Sequence, residues 1–280
     1  MDNSRSVLEK FFSGLAEAPA SLLLLDYDGT LAPFQRERME ARPYAGVVER
    51  LKRIQETAGS GFAMVSGRPT AEVAKLLKPL TGFAIRGAHG LEARDVDGNV
   101  ERVALAEADT RALKTARSQL EDLGMMATIE EKAGGIALHW RAFAPDAAER
   151  LRALALRLWT PVLKGTSLRL MPFDGGLELR VTRPDKGDAV RAMLNEQPEG
   201  TVVAYLGDDA TDEDAFEAVG KHGLSVLVRE ERRTSAAEVW LRPPEELLEF
   251  LDRWIEATSR NGAQQMRKAS AMGWLPGKQM

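Results

Sequence analysis

The chain has 280 residues, of which 44% are hydrophobic, and this is enough for one large domain or two ordinary ones with well-filled cores. Charged residues make up 29% of the chain but the formal net charge is only −4, so there is no large cationic field to hold a nucleic-acid backbone. The absence of cysteine excludes disulfides, thiolate nucleophiles and Cys-bound zinc, and it is consistent with a reducing cytoplasm. We therefore expect a globular cytoplasmic protein that does not bind nucleic acid.

The two ends of the chain are amphipathic or polar. In the first 20 residues the hydrophobic side chains recur at helical spacing among charges, without the continuous apolar core of a secretion signal. No apolar run approaches the length of a membrane span, so a membrane partner is not expected. Residues 258–280 are rich in Gln, Gly, Ser and basic side chains, which predicts a flexible C-terminal tail.

Four consecutive leucines at residues 22–25 form the first strongly apolar run. A run this short and continuous predicts a strand buried on both faces rather than an isolated amphipathic helix. Asp26 and Asp28 follow at once with a Gly-Thr turn, which places two carboxylates at the carboxyl end of that strand. In open α/β sheets this edge is where ligands bind.

Asp26 and Asp28 are two residues apart, so an extended chain points both carboxylates to the same side. Two such charges repel each other unless a cation lies between them. Oxygen ligands of this kind suit Mg²⁺, which binds through one or two carboxylates plus a phosphate and keeps several waters. The alternative is an Asp-Gly turn that merely ends the strand. The strand in front and the second Asp favour a metal site.

Helix and strand patterns alternate after this strand. Apolar side chains recur at helical intervals over residues 44–56 and 70–77, and short apolar runs at 62–65 and 83–85 predict strands. The second strand ends at Ser66, whose hydroxyl and neighbouring backbone amides can bind phosphate oxygens, although a plain turn is the alternative. The alternation predicts an α/β fold with a doubly wound parallel sheet.

The pattern changes between about residues 93 and 181. Two long helical patterns alternate there with two pairs of short strands, in which apolar and polar residues alternate around Gly-rich turns. Such alternation is typical of antiparallel strands with one solvated face. We therefore predict a core formed by residues 1–92 and 182–257, an inserted α/β cap domain with an antiparallel sheet at 93–181, and the tail.

The parallel pattern resumes with a helix that Lys186 opens and a buried strand at 202–206. The segment GDDATDEDAF follows this strand and has five acidic residues in seven positions, a density of charge that is costly without a cation. Asp208 is the expected third carboxylate at the metal, and Asp212, one helical turn later, is expected to orient a metal-bound water. Lys186 is a suitable point charge beside a phosphate. A solvated surface lysine and an acidic helix start are the alternative interpretations.

Four motifs occur in a fixed order: DYDGTLAP at residues 26–33, Ser-Gly-Arg at 66–68, Lys186, and GDDATDEDAF at 207–216. This order resembles that of the haloacid-dehalogenase-like (HAD) phosphatases, and the first and last motifs are most similar to those of the trehalose-6-phosphate phosphatases. Over about residues 20–255 the resemblance implies a HAD-like core, an inserted cap and Mg²⁺ as cofactor. One departure is Val181, where the family commonly has Pro. The position of the hinge between cap and core is therefore less well defined by the sequence.

The resemblance also implies roles for individual residues. Asp26 is implied as the nucleophile that attacks phosphorus, Asp28 as the acid and base, and Thr30 as the residue that fixes the loop. The catalytic candidates are Asp26, Asp28, Thr30, Ser66 and Lys186. The substrate-binding candidates are Gly67, Arg68, His89, Glu130, Lys132 and Glu178. The metal candidates are Asp26, Asp28 and Asp208, and Asp212 is expected beside them without binding the metal directly.

These features predict a Mg²⁺-dependent phosphatase that hydrolyses trehalose 6-phosphate, a phosphorylated disaccharide, to trehalose and phosphate. The core chemistry is common to related enzymes, so phosphatases of mannosyl-3-phosphoglycerate or sucrose phosphate are alternatives that only the cap discriminates. A phosphosugar-binding regulator without turnover is a less favoured alternative, because no expected catalytic residue is missing. The sequence does not define the oligomeric state.

Overall fold

The computed structural model describes the backbone of residues 2–35, 37–173 and 175–271, with side chains described from residue 4 to residue 260 of these ranges. The α-helices, numbered α1 to α8 in chain order, are Asp2–Glu17, Val47–Glu56, Thr70–Leu76, Glu107–Glu121, Pro145–Trp159, Lys186–Asn195, Glu213–Val219 and Glu245–Ala271. The strands, numbered β1 to β12, are Ala20–Leu25, Ser60–Val65, Ala84–Gly87, Glu92–Arg94, Val100–Arg102, Ile129–Lys132, Gly135–His139, Leu168–Phe173, Gly176–Val181, Thr201–Gly207, Gly223–Val228 and Val239–Leu241. No described helix combines the length and the apolar character that crossing a bilayer needs.

The first sheet has the strand order β12-β11-β10-β1-β2-β3-β4-β5. Its pairs from β12 through β3 are all parallel, and β4 joins β3 in antiparallel register. The predicted doubly wound parallel sheet is therefore confirmed, with an antiparallel addition at one edge. Because β1 lies between β10 and β2, the residues at the carboxyl ends of these three strands meet at one edge of the sheet.

Strand β1 is buried on both faces, as its four leucines predict. Leu23 and Leu25 belong to a core cluster that includes side chains of α1, α2, α3 and α8. Leu22 and Leu24 point to the other face, where the cluster includes side chains of α6 and α7. Each buried leucine stabilises the fold by about 1.5–3 kcal/mol relative to an exposed one, which fixes the register of the strand that carries the acidic motif.

The chain divides into two compact units, Met1–Val100 with Lys186–Met280, and Glu101–Asp185. The first bound lies beyond residue 93 because β4 pairs with β3 and so belongs to the first sheet, and the second bound lies at Asp185 rather than at 181. The second unit has a separate antiparallel sheet in the order β6-β7-β9-β8, with α4 and α5 against it. A separate antiparallel sheet is what the alternating patterns predict.

Two features at the end of the chain differ from the expectations. The short strand β12 is not predicted, since three residues are too few for a periodic signal. Helix α8 continues to Ala271, past the expected start of the tail at Thr258. The backbone from 258 to 271 is therefore helical rather than irregular, and the remainder of the expected tail, 272–280, lies outside the described residues.

Candidate active site

The candidate active site lies at the carboxyl ends of the central strands of the first unit. Asp26 directly follows β1, Ser66 follows β2 and Asp208 follows β10, while Lys186 is the first residue of α6. All four side chains are buried. Burial of charged groups is costly unless they are paired, so their concentration at one sheet edge indicates a functional site.

Three carboxylates form what we call the core carboxylate group, which consists of Asp26, Asp208 and Asp212. One oxygen atom from each of them lies within 4.8 Å of the other two. Asp208 Oδ1 is buried and has no hydrogen-bond partner in the described part of the protein. A Cβ atom at Gly29, whose φ is 78°, would overlap the Asp208 carboxylate, so only glycine permits this approach. An orphaned buried carboxylate oxygen within a group of hard oxygen donors fits a Mg²⁺ ion.

Burial dominates the acid–base behaviour of this group. It raises the pKa of Asp26 from 3.8 to about 7, and the charge of Lys186 opposes the rise. It raises the pKa of Asp208 to about 9, and the negative charges of Asp26 and Asp212 add to the rise. A bound divalent cation would favour the ionised carboxylates and reverse both shifts.

Lys186 is a buried cation at the core carboxylate group. Its Nζ lies 2.9 Å from Asp26 Oδ1 and 2.7 Å from Asp212 Oδ1. Burial by itself lowers the pKa of Lys186, but the carboxylates of Asp212 and Asp26 raise it above its ordinary value. The lysine therefore remains charged at neutral pH, beside the candidate nucleophile.

The four hydrogen bonds of Asp212 explain how this carboxylate is held. Its Oδ1 accepts from Lys186 Nζ and, at 2.5 Å, from the hydroxyl of Tyr205. Its Oδ2 accepts from the backbone N–H groups of Asp208 at 3.1 Å and Asp209 at 2.9 Å. Asp212 thus fixes the loop after β10. The sequence patterns do not predict this hydrogen bond of Tyr205, although a single tyrosine in an aliphatic buried strand is a recognisable signal.

Asp28 does not join the core carboxylate group, although Asp26 does. Both oxygens of Asp28 instead accept hydrogen bonds from Arg68, with Nε–Oδ2 and Nη2–Oδ1 distances of 2.6 Å. The expectation that Asp26 and Asp28 point the same way rests on an extended chain, but β1 ends at Leu25 and the Leu31 N–H donates to the Tyr27 carbonyl in a turn. Arg68, a substrate-binding candidate, is therefore the partner of Asp28 in this structure.

Ser66 and Thr30 are both buried but differ in their bonding. The Ser66 hydroxyl accepts from the backbone N–H of Arg68 at 3.2 Å. Thr30 Oγ1 has no partner among the described residues, so the hydrogen bond expected to fix its loop is not found there. A buried hydroxyl without a protein partner is available to a water or a phosphoryl oxygen.

Gly67 and His89 form a close contact beside Ser66. A Cβ atom at Gly67 would lie 2.7 Å from the imidazole of His89. The His89 backbone adopts φ 57°, and its N–H donates to the Ser66 carbonyl at 3.0 Å. A left-handed conformation at a non-glycine residue costs of order 1–3 kcal/mol. His89, a candidate for substrate contact, therefore also shapes the loop that carries Ser66.

A second cluster lies on one face of the antiparallel sheet in the other unit. We call Glu130, Lys132, His139 and Glu178 the cap polar group. Lys132 Nζ lies 3.2 Å from a Glu178 oxygen, and His139 Nε2 lies 3.0 Å from a Glu130 oxygen. Lys132 Nζ and the His139 ring lie 5.8 Å and 5.2 Å from the ring centre of Phe173. The three substrate-binding candidates of the cap are therefore neighbours, and His139 is an addition that spacing alone does not reveal.

Comparison with known proteins agrees with this architecture. The C-terminal domain of a Candida albicans trehalose-6-phosphate phosphatase has a similar structure with a TM-score of 0.69 at 21% identity, covering 89% of this chain and 96% of that domain. The C-terminal domain of a C. albicans trehalose synthase regulatory protein matches with a TM-score of 0.62 at 16% identity, covering 88% and 97%. The fold is that of the HAD-like phosphatases, with a core and an inserted cap.

Sequence comparison places the chain more narrowly. A family model described as Trehalose-phosphatase matches residues 24–241, and the chain belongs to this family. A trehalose-phosphate phosphatase of Mycobacterium marinum is 33% identical over 263 residues, which cover 87% of this chain and 64% of that protein. The chain thus spans less than two thirds of the length of this relative.

Proposed function

We propose that this protein is a Mg²⁺-dependent phosphatase that hydrolyses trehalose 6-phosphate to trehalose and phosphate. The observation that carries the proposal is the contact of a buried lysine, Lys186, with Asp26 inside a group of three buried carboxylates. A carboxylate nucleophile at Asp26 would lie beside fixed positive charge, which supports phosphoryl transfer. Membership of the trehalose-phosphatase family supports the choice of substrate.

Asp26 is the proposed nucleophile. Its carboxylate oxygen attacks phosphorus, the bond between phosphorus and the sugar oxygen breaks, and an aspartyl-phosphate forms. Lys186 Nζ, 2.9 Å from Asp26 Oδ1, stabilises the ionised carboxylate and the phosphoryl oxygens that approach it. The hydroxyls of Ser66 and Thr30 are further donors for these oxygens.

Asp28 is the proposed acid and base. It gives a proton to the departing sugar oxygen and later takes one from the water that attacks the aspartyl-phosphate. Phosphate then leaves and Asp26 is regenerated. Both oxygens of Asp28 lie outside the core carboxylate group, which keeps the acid–base group separate from the nucleophile.

Asp26 and Asp208 are the proposed Mg²⁺ ligands, and Asp212 positions them through its hydrogen bonds to the Asp208 N–H and to Lys186. When bound, Mg²⁺ supplies charge neutralisation of the phosphoryl oxygens. The orphaned oxygen of Asp208 is the feature of this chain that best supports a resident cation.

The cap polar group is proposed to bind the sugar. Glu130, Lys132 and Glu178 are each only partly exposed and are paired with one another by contacts of 3.2–4.0 Å. Carboxylates and an ammonium group at this spacing can accept from and donate to several hydroxyls at once. In this proposal the core motifs bind the phosphate and the cap polar group binds the sugar.

A panel of phosphorylated sugars tests this function. Phosphate release is measured with trehalose 6-phosphate, sucrose phosphate, mannosyl-3-phosphoglycerate and glucose 6-phosphate, each with Mg²⁺ and with chelator. We expect the highest kcat/KM for trehalose 6-phosphate and no turnover after chelation. A different preferred sugar would reassign the substrate. Binding without any turnover would indicate a phosphosugar-binding regulator instead.

A further inference from the structure

The pairing of Arg68 with Asp28 is the most specific contact of the site that the nucleophile and the metal do not explain. Two parallel N–H···O bonds of 2.6 Å join the edge of the guanidinium to both carboxylate oxygens. Arg68 is only 4% exposed, whereas Asp28 is 28% exposed. Bidentate pairs of this kind fix the direction of a carboxylate as well as its position.

Other groups hold Arg68 in place independently of Asp28. Its backbone N–H donates to Ser66 Oγ, and its carbonyl accepts from the Ala88 N–H at 2.8 Å. Its Nη1 lies 3.4 Å from a Glu72 oxygen, and the guanidinium lies 5.5 Å from the ring centre of Tyr27. The guanidinium is therefore held by contacts that do not involve Asp28.

Each of the two proposed catalytic carboxylates thus has a buried cation beside it. Lys186 contacts Asp26, and Arg68 engages Asp28. Since Nε and Nη2 of Arg68 are both taken, the edge of the guanidinium that best matches a phosphate already binds a carboxylate. This geometry disfavours direct binding of phosphate by the guanidinium of Arg68, which the sequence indicates only as a substrate-binding candidate.

Resting on the proposed phosphatase function, we propose that Arg68 is a positioning residue for Asp28. We call the two parallel hydrogen bonds from Arg68 to Asp28 the fork. The fork orients the Asp28 carboxyl group away from the core carboxylate group and toward the position where it meets the leaving oxygen. In the first step the proton on Asp28 passes to the sugar oxygen as the P–O bond breaks, so loss of the fork weakens catalysis most where the leaving group needs that proton.

The test measures the dependence of the rate on the leaving group. For wild type and Arg68→Lys, kcat/KM is determined for trehalose 6-phosphate and for substituted phenyl phosphates of rising leaving-group ability. Lysine keeps the charge but not the fork. We expect a fall of about tenfold or more for trehalose 6-phosphate, a fall below about threefold for p-nitrophenyl phosphate, and a steeper dependence across the phenyl series.

The chain offers a matched control. Arg50 makes the same kind of fork with Asp252, with Nε–Oδ1 and Nη2–Oδ2 distances of 2.9 and 2.7 Å, between α2 and α8. Arg50→Lys breaks this fork and should leave both activities and the leaving-group dependence unchanged. Melting curves of Arg68→Lys and Arg50→Lys are compared to check that both variants fold. Arg68→Gln replaces Arg68→Lys if the latter does not fold.

The outcomes separate this inference from the proposed function. Equal losses for all substrates in the Arg68 variants, with a raised KM, would assign Arg68 to phosphate binding and overturn the positioning role. Unchanged rates would also overturn it. A wild-type protein that prefers another phosphate ester would refute the choice of trehalose 6-phosphate only, because the phenyl series still reports on the fork. A wild type inactive on every ester would overturn both.

Discussion

The core carboxylate group and the cap polar group use similar side chains in opposite settings. In the core, Lys186 is 3% exposed and has carboxylate oxygens at 2.7 and 2.9 Å. In the cap, Lys132 is 33% exposed and its carboxylate contacts are 3.2 and 4.0 Å. Buried, short contacts hold one geometry, whereas partly exposed pairs are weak and exchange readily for ligand hydroxyls. The contrast supports the proposal that the core carries out the chemistry and that the cap binds the sugar.

The largest expected effect comes from removing the nucleophile. Asp26→Asn should lower kcat by roughly a thousandfold or more for every substrate, because an amide cannot attack phosphorus. The variant should fold normally, since it removes a charge that burial disfavours. Phosphate release and melting curves check both points. Substantial turnover by the purified variant would contradict the role of Asp26 and, with it, the assignment of chemistry to this group.

The next effect concerns the metal. Chelation should abolish activity reversibly, and Asp208→Asn should raise the Mg²⁺ concentration for half-maximal rate by roughly tenfold or more. Titration of activity with Mg²⁺ after chelator treatment measures this. Direct binding of Mg²⁺ by calorimetry provides a readout without turnover. A rate that is indifferent to chelator would refute the metal assignment.

A selective loss is expected in the cap. Glu178→Ala and Glu130→Ala should each lower kcat/KM for trehalose 6-phosphate by about tenfold, because each removes one or two hydrogen bonds to a charged group. The kcat/KM for p-nitrophenyl phosphate should change little. Glu131→Ala is the matched control, because Glu131 is next to Glu130 but on the opposite face of β6, and it pairs with Arg117. Equal losses for both substrates would assign these carboxylates to structure.

The smallest effect is on the pH dependence of stability. The folded pKa values of Asp26 and Asp208, about 7 and about 9, lie above the ordinary value of 3.8, so the folded metal-free protein binds more protons than the unfolded chain in this range. Its free energy of unfolding should therefore fall as pH rises from about 4 to about 9. Melting curves in chelator should show this fall, and Asp208→Asn should flatten it. A metal-free melting temperature that rises across the window would contradict it.

Much of the core and part of the cap can be predicted from the sequence. The four leucines before Asp26 and the aliphatic run before Asp208 specify buried parallel strands, and the carboxyl ends of parallel strands meet at one edge of a sheet. The alternating patterns of the insert likewise place Glu130 and Lys132 on one face, because residues two apart on a strand share a face. Local patterns are sufficient for these features.

Side-chain pairs that depend on the path of turns and loops cannot be predicted in this way. Asp28 and Arg68 are 40 residues apart, and the partner of Asp28 depends on a turn that departs from the extended geometry after Leu25. The Tyr205 hydroxyl on Asp212 depends on the path of the loop after β10. Such contacts arise from tertiary packing, which overrides the local period of the chain.

The most direct test of the account is to identify the residue that carries the phosphoryl group. Asp28→Asn lacks the base that activates water, so loading it with p-nitrophenyl phosphate, whose leaving group needs no proton, should accumulate the intermediate. Mass spectrometry after acid quench should find one phosphoryl group, and fragmentation should locate it on Asp26. A phosphoryl group on another residue, or a burst of nitrophenol without any covalent adduct, would contradict the central role of Asp26.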